Sequence, residues 1–285
     1  MSIVVTGATG HLGRLTVEAL LRRGVPASGI VATGRDVAAI KDLADRGVVV
    51  RRADFADPDS LAAAFAGADK LLLVSASVPV EERSANHRRA VDAALAAGVS
   101  LVAYTSMVRA DTTATLIGVT HRETEEYLRE REVPSVMLRN GWYLENYTDQ
   151  LPVMLRHGGF VGAAGQGRIS AASRADYADA AAVVLTTDGH GGKVYELVGD
   201  TAFTLAELAA AISAAVGQPI GYTDLSADAF AQVLVDAGVP AAVAPYLADA
   251  DLGLGRGELY GDADDLRRLI GRPTVSLAEA IAAAL

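Results

Sequence analysis

A glycine-rich turn joins a short β-branched run at 3–5 to a helical pattern at 11–22, and it reads Thr6-Gly7-Ala8-Thr9-Gly10-His11-Leu12-Gly13. In such a turn Gly7 permits the tight bend, Gly10 lets the backbone approach a pyrophosphate, and Gly13 lets the helix pack closely on the strand. The N-terminus of the helix offers unpaired N–H groups and a partial positive charge to phosphates. An ordinary tight turn is the alternative, but the strand before it and the helix after it favour a Rossmann-type dinucleotide site.

The first half of the chain alternates short apolar runs with longer amphipathic segments. The run from Leu71 to Val74 is continuously apolar, as expected of a strand buried on both faces of a sheet. Six strand–helix repeats at this spacing predict an α/β fold with a Rossmann-type, doubly wound parallel sheet. Beyond the first strand and helix, strands are predicted at 30–32, 48–50, 71–74, 101–104 and 135–138, and helices at 37–44, 57–65, 82–97 and 120–131.

The pattern changes after Asn140. Residues 158–167 are rich in glycine and predict irregular structure. The segments 176–186 and 194–198 predict a helix and a strand that return to the sheet.

The C-terminal part of the chain has a helical pattern that opens with a capping-box signature at Thr204 and Glu207. Further helices are predicted at 226–237, 241–252, 262–270 and 276–285. We therefore expect a nucleotide-binding Rossmann domain at 1–140, rejoined by about 171–200. A smaller, mostly helical substrate-binding lobe is expected at 141–170 and 201–285.

Composition limits the function classes. The 285 residues are 51% hydrophobic and 21% charged, which is ordinary for a globular protein. A formal net charge of −10 makes nucleic acid and anionic lipid poor partners. The chain has no cysteine and its five histidines are scattered, so we expect no metal site. We find no signal peptide and no apolar run of about 18 residues, so we expect no membrane span and a cytoplasmic location.

The end of the second predicted strand, Thr33-Gly34-Arg35, bears on the choice of nicotinamide cofactor. An NAD site usually places Asp or Glu there for the ribose 2′-hydroxyl, whereas Arg35 suits a 2′-phosphate. Asp36 leaves an ambiguity, although it can act as a helix N-cap instead. We predict NADPH, with NADH bound more weakly; the alternative for Arg35 is a solvated surface side chain.

Two more strand ends carry candidate ligand contacts. Asp54 and Phe55 follow the third strand, where Asp54 either reaches an adenine edge or forms a local N-cap-like turn. Ser75, Ala76 and Ser77 end the fourth strand at the sheet edge where ligands bind, and their small side chains leave room for a ribose or a nicotinamide.

The chain lacks the Tyr and Lys, four residues apart, that many dehydrogenases of this fold place after the fifth strand. His121 and Glu125 share a helix face instead, as an acid/base relay or, as we favour, a surface salt bridge with His121 half-exposed. Reduction of a ketone leaves a basic alkoxide that needs a general acid, whereas a quinone leaves an aromatic oxyanion that water protonates. The missing pair therefore favours a conjugated acceptor.

Several segments along nearly the whole chain resemble the NmrA-like group of atypical short-chain dehydrogenases/reductases, and within it the bacterial quinone-reducing branch. The most specific are LRNGWYLENY at 138–147 and SRADYADAA at 173–181. The others are TGATGHLG, VSAS, AYTSM, GAAGQGRIS and GKVYELVGD. The resemblance implies NADPH-dependent reduction of a quinone by direct hydride transfer.

The resemblance also implies roles for residues. The glycine turn would hold the pyrophosphate and Arg35 the 2′-phosphate, and 75–77 would flank the nicotinamide ribose. The segment 138–143 would form the wall beside the nicotinamide, and Arg174 would lie near the edge of the cofactor. The cofactor set is Gly7, Ala8, Thr9, Gly10, His11, Leu12, Gly13, Arg35, Asp54, Phe55, Ser75, Ala76, Ser77, Leu138, Arg139, Asn140, Gly141 and Arg174. The candidate catalytic set is Asn140, Trp142, Tyr143 and Tyr104.

The residue chemistry agrees with these roles but leaves alternatives. Asn140 offers amide hydrogen bonds, and Trp142 and Tyr143 offer a flat apolar surface to a planar ring; the two aromatic residues could instead pack the lobe on the main domain. Arg174 and Asp176 could form a structural ion pair. A redox sensor that reads the NADP pool, or a reductase of dyes or enones, is the alternative function. The helical tail could supply a homodimer interface.

Overall fold

The computed structural model describes residues 1–76, 78–262 and 264–285. The strands are β1 Ile3–Val5, β2 Ile30–Gly34, β3 Val49–Arg52, β4 Lys70–Leu73, β5 Leu101–Met107, β6 Ser135–Asn140, β7 Gly159–Gly162, β8 Val194–Leu197 and β9 Gly221–Asp224. The α-helices are α1 His11–Arg22, α2 Lys41–Asp45, α3 Pro58–Phe65, α4 Val80–Ala96, α5 Leu116–Glu130, α6 Glu145–Thr148, α7 Leu151–His157, α8 Arg174–Thr186, α9 Leu205–Val216, α10 Ala227–Asp236, α11 Ala244–Gly255, α12 Asp265–Ile270 and α13 Leu277–Ala284. Short 3₁₀ helices lie at Ala27–Gly29 and Val37–Ile40.

The larger sheet has seven strands in the order β3-β2-β1-β4-β5-β6-β8, and every pair in it is parallel. The predicted doubly wound sheet is therefore confirmed. Because β1 lies between β2 and β4, the winding direction reverses there. Ligands of open α/β sheets bind at the carboxyl ends of the strands at such a point, and here the glycine turn occupies it.

Alternation along the buried strands divides the core into two layers. Ile3 and Val5 face a cluster that includes side chains of α1 and α8. Val4 faces the opposite cluster, which contains side chains of α3, α4 and α5. Because both faces of the sheet are covered by helices, the strands read as continuous apolar runs.

The sequence predicted irregular structure at 158–167, but part of this segment is a strand. Its residues 159–162 form β7, which pairs in parallel with β9 inside the tail that was predicted to be helical. A Cβ on Gly159 would clash with the Gly221 backbone, so glycine at this position is what lets the two strands approach. Because glycine usually weakens a strand, the glycines of this segment led the sequence analysis to miss β7.

A third apolar cluster lies beyond the carboxyl edge of the larger sheet. It joins Leu144, Leu208, Leu254 and Ile281 to Met107 at the end of β5. This cluster fixes the C-terminal helices beside the strand ends from which the candidate site is built. In contrast, Leu266 of α12 packs into the cluster on the face of the larger sheet that α1 and α8 cover.

Candidate cofactor and substrate site

The glycine turn has the conformation that a phosphate site requires. Gly7 adopts a positive φ of 63°, and its carbonyl accepts a hydrogen bond from the N–H of Gly10 at 2.9 Å. A Cβ on Gly13 would fall within the backbone of Gly7, whereas a Cβ on Gly10 would meet only the Gly7 oxygen, at 3.4 Å. Gly13 is therefore needed for packing, and Gly10 leaves space outside the turn.

The N-terminus of α1 has no competing anion of its own. Gly10 is the N-cap residue, no side chain caps the helix, and its first turn contains no acidic residue. Its N–H groups and the positive end of the helix dipole are thus available to a phosphate, so the residues present fit a dinucleotide.

One cavity of about 640 Å³ runs from this turn along the carboxyl edge of the sheet. It brings together most of the residues that the sequence predicted to bind the cofactor or substrate. Ser77 lies outside the described residues. The predicted residues that line the cavity are Gly7, Thr9, Gly10, His11, Leu12, Gly13, Arg35, Asp54, Phe55, Ser75, Ala76, Asn140, Gly141, Trp142, Tyr143 and Arg174.

Four predicted site residues do not line the cavity. Ala8 is fully buried, and its N–H donates to the Thr33 carbonyl at 2.8 Å. Leu138 packs in the cluster on the face of the larger sheet that α1 and α8 cover. Arg139 pairs with the buried carboxylate of Glu125, and Tyr104 is completely buried because β5 continues past it to Met107. These four side chains support the wall of the cavity from behind.

Arg35 is the side chain predicted to bind the 2′-phosphate of the cofactor's adenosine. Arg35 is exposed at the cavity, and no carboxylate pairs with it in the part of the chain that the structure describes. Asp36 accepts a hydrogen bond from the N–H of Ala38 at 3.1 Å and so caps the 3₁₀ helix, as predicted. Asp54 accepts a hydrogen bond from the N–H of Ala56 at 3.0 Å, so the predicted local turn forms; it also lines the cavity, and its contact with an adenine edge stays a prediction.

Side chains of neighbouring elements accept hydrogen bonds from the segment that follows β4. The N–H of Val74 donates to Thr6 Oγ1 at 2.8 Å, and the N–H of Ser75 donates to Thr105 Oγ1 at 2.9 Å. The N–H of Ala76 donates to Nε2 of His87 at 2.9 Å. Three consecutive backbone donors are thus satisfied by neighbouring elements, so this wall of the cavity has a fixed position.

His121 and Glu125 form neither of the predicted arrangements, because the face of α5 that carries them is buried. His121 is 7% exposed and its Nδ1 lies 2.8 Å from the Tyr104 hydroxyl. Glu125 is 1% exposed and accepts from Arg139 Nε at 2.9 Å and from Ser106 Oγ at 2.6 Å. The surface salt bridge is therefore wrong, and the two residues belong to separate buried networks.

The network around His121 is neutral at physiological pH. Burial, assisted by the charge of Arg83, lowers the pKa of His87 to about 3. Burial and the same guanidinium also lower the pKa of His121 well below its usual value, and burial raises the pKa of Tyr104. None of the three groups is matched to proton transfer near pH 7.

The network around Arg139 is ionic. Burial alone would disfavour its charge, but hydrogen bonds with Glu125 and Glu196 outweigh that cost and raise the pKa of Arg139. The Arg139 Nη1–Glu196 Oε1 distance is 2.8 Å. Arg139 thus links its own strand, β6, to α5 through Glu125 and to β8 through Glu196.

The wall at 140–143 carries buried polar atoms without protein partners. Within the described residues, neither Asn140 Oδ1 nor Trp142 Nε1 has a hydrogen-bond partner. The Tyr143 ring packs edge-on against Tyr177, with ring centroids 5.4 Å apart. The Arg174 guanidinium stacks 5.0 Å from the centre of the Tyr143 ring. The wall thus combines polar side chains with aromatic rings, which suits a polar, planar ligand.

The suggested Arg174–Asp176 ion pair is absent from the described residues. Arg174 instead donates to Asn146 Oδ1 at 3.0 Å and lies 3.4 Å from Asp149. Asp176 is fully buried and pairs with Arg272 at 2.6 Å. The side chain of Arg174 is thus directed to the cavity rim.

Sequence reasoning missed several residues of the cavity. Arg83 stands in the first turn of α4 beside two glutamates and was indistinguishable from a charged surface residue. Asn86, one turn further, had no motif to mark it. The four-residue spacing on α5 was a usable signal, since Ile117 and His121 both line the cavity. The missed lining residues also include Gly34, Ala53, Val74, Thr105, Ser106, Met107, Asn146 and Leu259.

Within the ranges described, no group of three or more metal-binding side chains could hold an ion. Across those same ranges, no helix combines the length and the apolar character that crossing a membrane requires.

Comparison with known proteins gives a consistent result. The model of the NmrA-like family matches residues 1–264. Quinone oxidoreductase 2 of Escherichia coli K12 is 47% identical over 279 residues, which cover 98% of this chain and 97% of that protein. The crystal structure of the NADPH-dependent E. coli quinone oxidoreductase QOR2 with NADPH superposes with a TM-score of 0.94 at 47% identity and 98% coverage of both chains. Citrobacter sp. triphenylmethane reductase complexed with NADP(H) superposes with a TM-score of 0.95 at 37% identity over the whole of both chains.

Proposed function

This chain belongs to the NmrA-like family, and from its site we propose that it is an NADPH-dependent quinone reductase. The observation that carries the proposal is the continuous cavity that joins the glycine turn to the wall formed by Asn140, Trp142 and Tyr143. Hydride transfer requires a nucleotide and a planar acceptor held in contact, and this cavity offers both surfaces. The similarity to a quinone oxidoreductase crystallised with NADPH supports the same activity.

The residues of the cavity fit NADPH. The backbone N–H groups at the start of α1 would hold the pyrophosphate, Arg35 the 2′-phosphate, and Ser75, Ala76 and Asn140 the nicotinamide riboside. When bound, the nicotinamide supplies a hydride, which is two electrons and one hydrogen nucleus, to the acceptor.

The protein's own contribution is orientation of the acceptor. Trp142 and Tyr143 present flat surfaces against which a quinone ring can lie, and Arg174 and Tyr177 fix the Tyr143 ring. Because His121 and its hydroxyl partner are neutral, the cavity wall provides no strong acid. The reduced quinone oxygen therefore takes its proton from water, which an aromatic oxyanion allows.

The test is steady-state kinetics of the purified protein with NADPH and NADH against several benzoquinones and naphthoquinones. We expect turnover, and we expect Arg35→Ala to raise the KM for NADPH about 10-fold or more while changing the KM for NADH by less than about 3-fold. Arg156→Ala is the matched control, because Arg156 is exposed on α7 and does not line the cavity. Equal effects of the Arg35 change on the two cofactors would contradict the NADPH assignment.

The same assay separates the competing functions. Tight NADPH binding without turnover of any quinone would identify a redox sensor. Faster reduction of dyes or enones than of quinones would identify the other class of reductase. The open cavity beside Trp142 and Tyr143 favours an enzyme, since no described side chain fills the space next to that wall.

The domain organisation, the oligomeric state and the location in the cell are also part of the proposal. We infer a substrate-binding lobe at 141–170 and 201–285 beside the Rossmann domain, supported by the third apolar cluster. We also infer a homodimer, because Val243, Leu247 and Leu252 are exposed near or within α11; a Leu247→Glu variant that sediments like the wild type would argue against that surface. A cytoplasmic location, consistent with the absence of cysteine, is tested by cell fractionation.

A further inference from the structure

Arg83 is a buried cation that no described carboxylate neutralises. It is 8% exposed, it lines the cavity, and its Nε has no hydrogen-bond partner within the described residues. An isolated guanidinium is costly to remove from water, and burial lowers the pKa of Arg83. A side chain held in this way points to a ligand that carries or develops negative charge.

The nearby carboxylates of α4 and α5 are directed elsewhere. Glu81 and Glu82 are exposed, and Glu81 accepts a hydrogen bond from the Tyr246 hydroxyl. Glu123 accepts from the hydroxyl of Ser84. The charge of Arg83 is thus felt inside the cavity, and it lowers the pKa of both His87 and His121.

The hydrogen-bond network fixes which nitrogen of His121 carries the proton. His87 Nε2 accepts from the Ala76 N–H, so we assign the His87 proton to Nδ1, which lies 2.8 Å from Thr124 Oγ1. The acceptor left for the Tyr104 hydroxyl is then Nδ1 of His121, at 2.8 Å. We therefore assign the proton of the neutral His121 to Nε2, which has no protein partner in the described part of the chain.

We infer that Arg83 determines which acceptors the site reduces, by holding the negative charge that develops on the acceptor oxygen, with His121 Nε2–H as a second, neutral donor. This inference rests on the proposed function. The quinone gains a hydride and becomes a hydroquinone monoanion, and water then supplies one proton. His121 donates a hydrogen bond and no proton, because a neutral imidazole is a weaker acid than a phenol. The same uncompensated cation disfavours acceptors that are themselves cations, such as triphenylmethane dyes.

The experiment compares wild type, Arg83→Leu and Arg83→Lys with a neutral naphthoquinone and a cationic triphenylmethane dye, at saturating NADPH. We expect Arg83→Leu to lower kcat/KM for the quinone about 100-fold, the cost typical of losing one oxyanion donor. Its kcat/KM for the dye should rise, while Arg83→Lys keeps a quinone-to-dye ratio within about 10-fold of wild type. The KM for NADPH should stay unchanged in both variants.

A second measurement needs no variant and so does not depend on folding of Arg83→Leu. Naphthalene sulfonate and naphthylmethylammonium have similar planar bodies and opposite charges, and neither is reduced. With NADPH bound, whose nicotinamide ring is uncharged, the sulfonate should bind to the wild type at least about 10-fold more tightly than the ammonium.

The outcomes separate this inference from the proposed function. An unchanged quinone-to-dye ratio in folded Arg83→Leu, or equal affinity for the two naphthalene ions, overturns the role of Arg83. An increase in the KM for NADPH alone assigns Arg83 to the cofactor and also overturns it. Absence of quinone turnover by the wild type, with preferential binding of the sulfonate, overturns the proposed function while leaving the anion site in place.

Discussion

Acid should destabilise this protein through His87, and the size of the effect follows from the burial of that side chain. Burial and the charge of Arg83 lower the pKa of His87 from 6.5 to about 3 in the folded state. Between these two values the unfolded chain binds more protons than the folded one, so stability falls as the pH falls. From pH 7 to pH 5 the loss due to His87 is about 2 kcal/mol, since each pKa unit corresponds to about 1.36 kcal/mol.

The perturbation is His87→Gln, because a glutamine oxygen can still accept from the N–H of Ala76 and cannot be protonated in this range. Urea unfolding of wild type and variant at pH 7 and pH 5 measures the free energy of unfolding of each. His121 is present in both proteins, and burial and Arg83, the two largest causes of its lowered pKa, are common to both, so its contribution largely cancels in the comparison. We expect the variant to lose about 2 kcal/mol less than wild type on acidification.

The control is His157→Gln, since His157 is exposed at the end of α7 and should leave the pH dependence as it is in the wild type. Parallel losses of stability in His87→Gln and wild type would refute the reasoning. Protonation of His87 also removes the acceptor for Ala76, which lines the cavity. Because the pKa of His87 in the folded protein is about 3, this acceptor stays in place between pH 7 and pH 5, and we expect the ratio of the NADPH affinities of wild type and variant to stay constant over this range.

Three further outcomes follow from the site. Gly13→Ala should unfold at lower urea concentration than wild type, because its Cβ would enter the backbone of the turn, whereas Gly10→Ala should remain stable to within about 1 kcal/mol and lose NADPH affinity in calorimetry. Arg139→Met should cost about 3–5 kcal/mol of unfolding free energy in urea titrations, because it leaves Glu125 buried without its main cation. Arg35→Ala should change the same quantity by less than about 0.5 kcal/mol, because the side chain is exposed.

The architecture was predictable because its signals are local. The spacing of apolar residues identified each strand of the larger sheet, and the glycine turn marked the point where the sheet reverses. Capping patterns such as Thr204 with Glu207 also formed as predicted, since a capping box involves residues only three positions apart. By contrast, β7 and β9 pair across about 60 residues, and glycine masks the strand character of Gly159.

The polar interior was not predictable from spacing alone. The α5 sequence gives His121 and Glu125 the appearance of a solvated pair, because burial of a helix face depends on what packs against it. In the structure that face meets β5 and β6, so each residue finds a partner from a different element, Tyr104 for one and Arg139 for the other. Arg83 was missed for the same reason, since Arg83 is buried although its sequence neighbours Glu81 and Glu82 are exposed.

The two buried networks explain why the site suits quinones better than simple ketones. A ketone becomes an alkoxide, which is far more basic than a phenolate and requires a group that gives up a proton during the reaction. Neither His121, which is neutral, nor Tyr104, whose pKa is raised by burial, can do this near pH 7. The positive charge of Arg83 can stabilise an anion without protonating it, and only an acceptor whose anion is already delocalised is served well by stabilisation alone. The absence of a Tyr/Lys pair and the presence of Arg83 therefore favour the same class of substrate, the quinones.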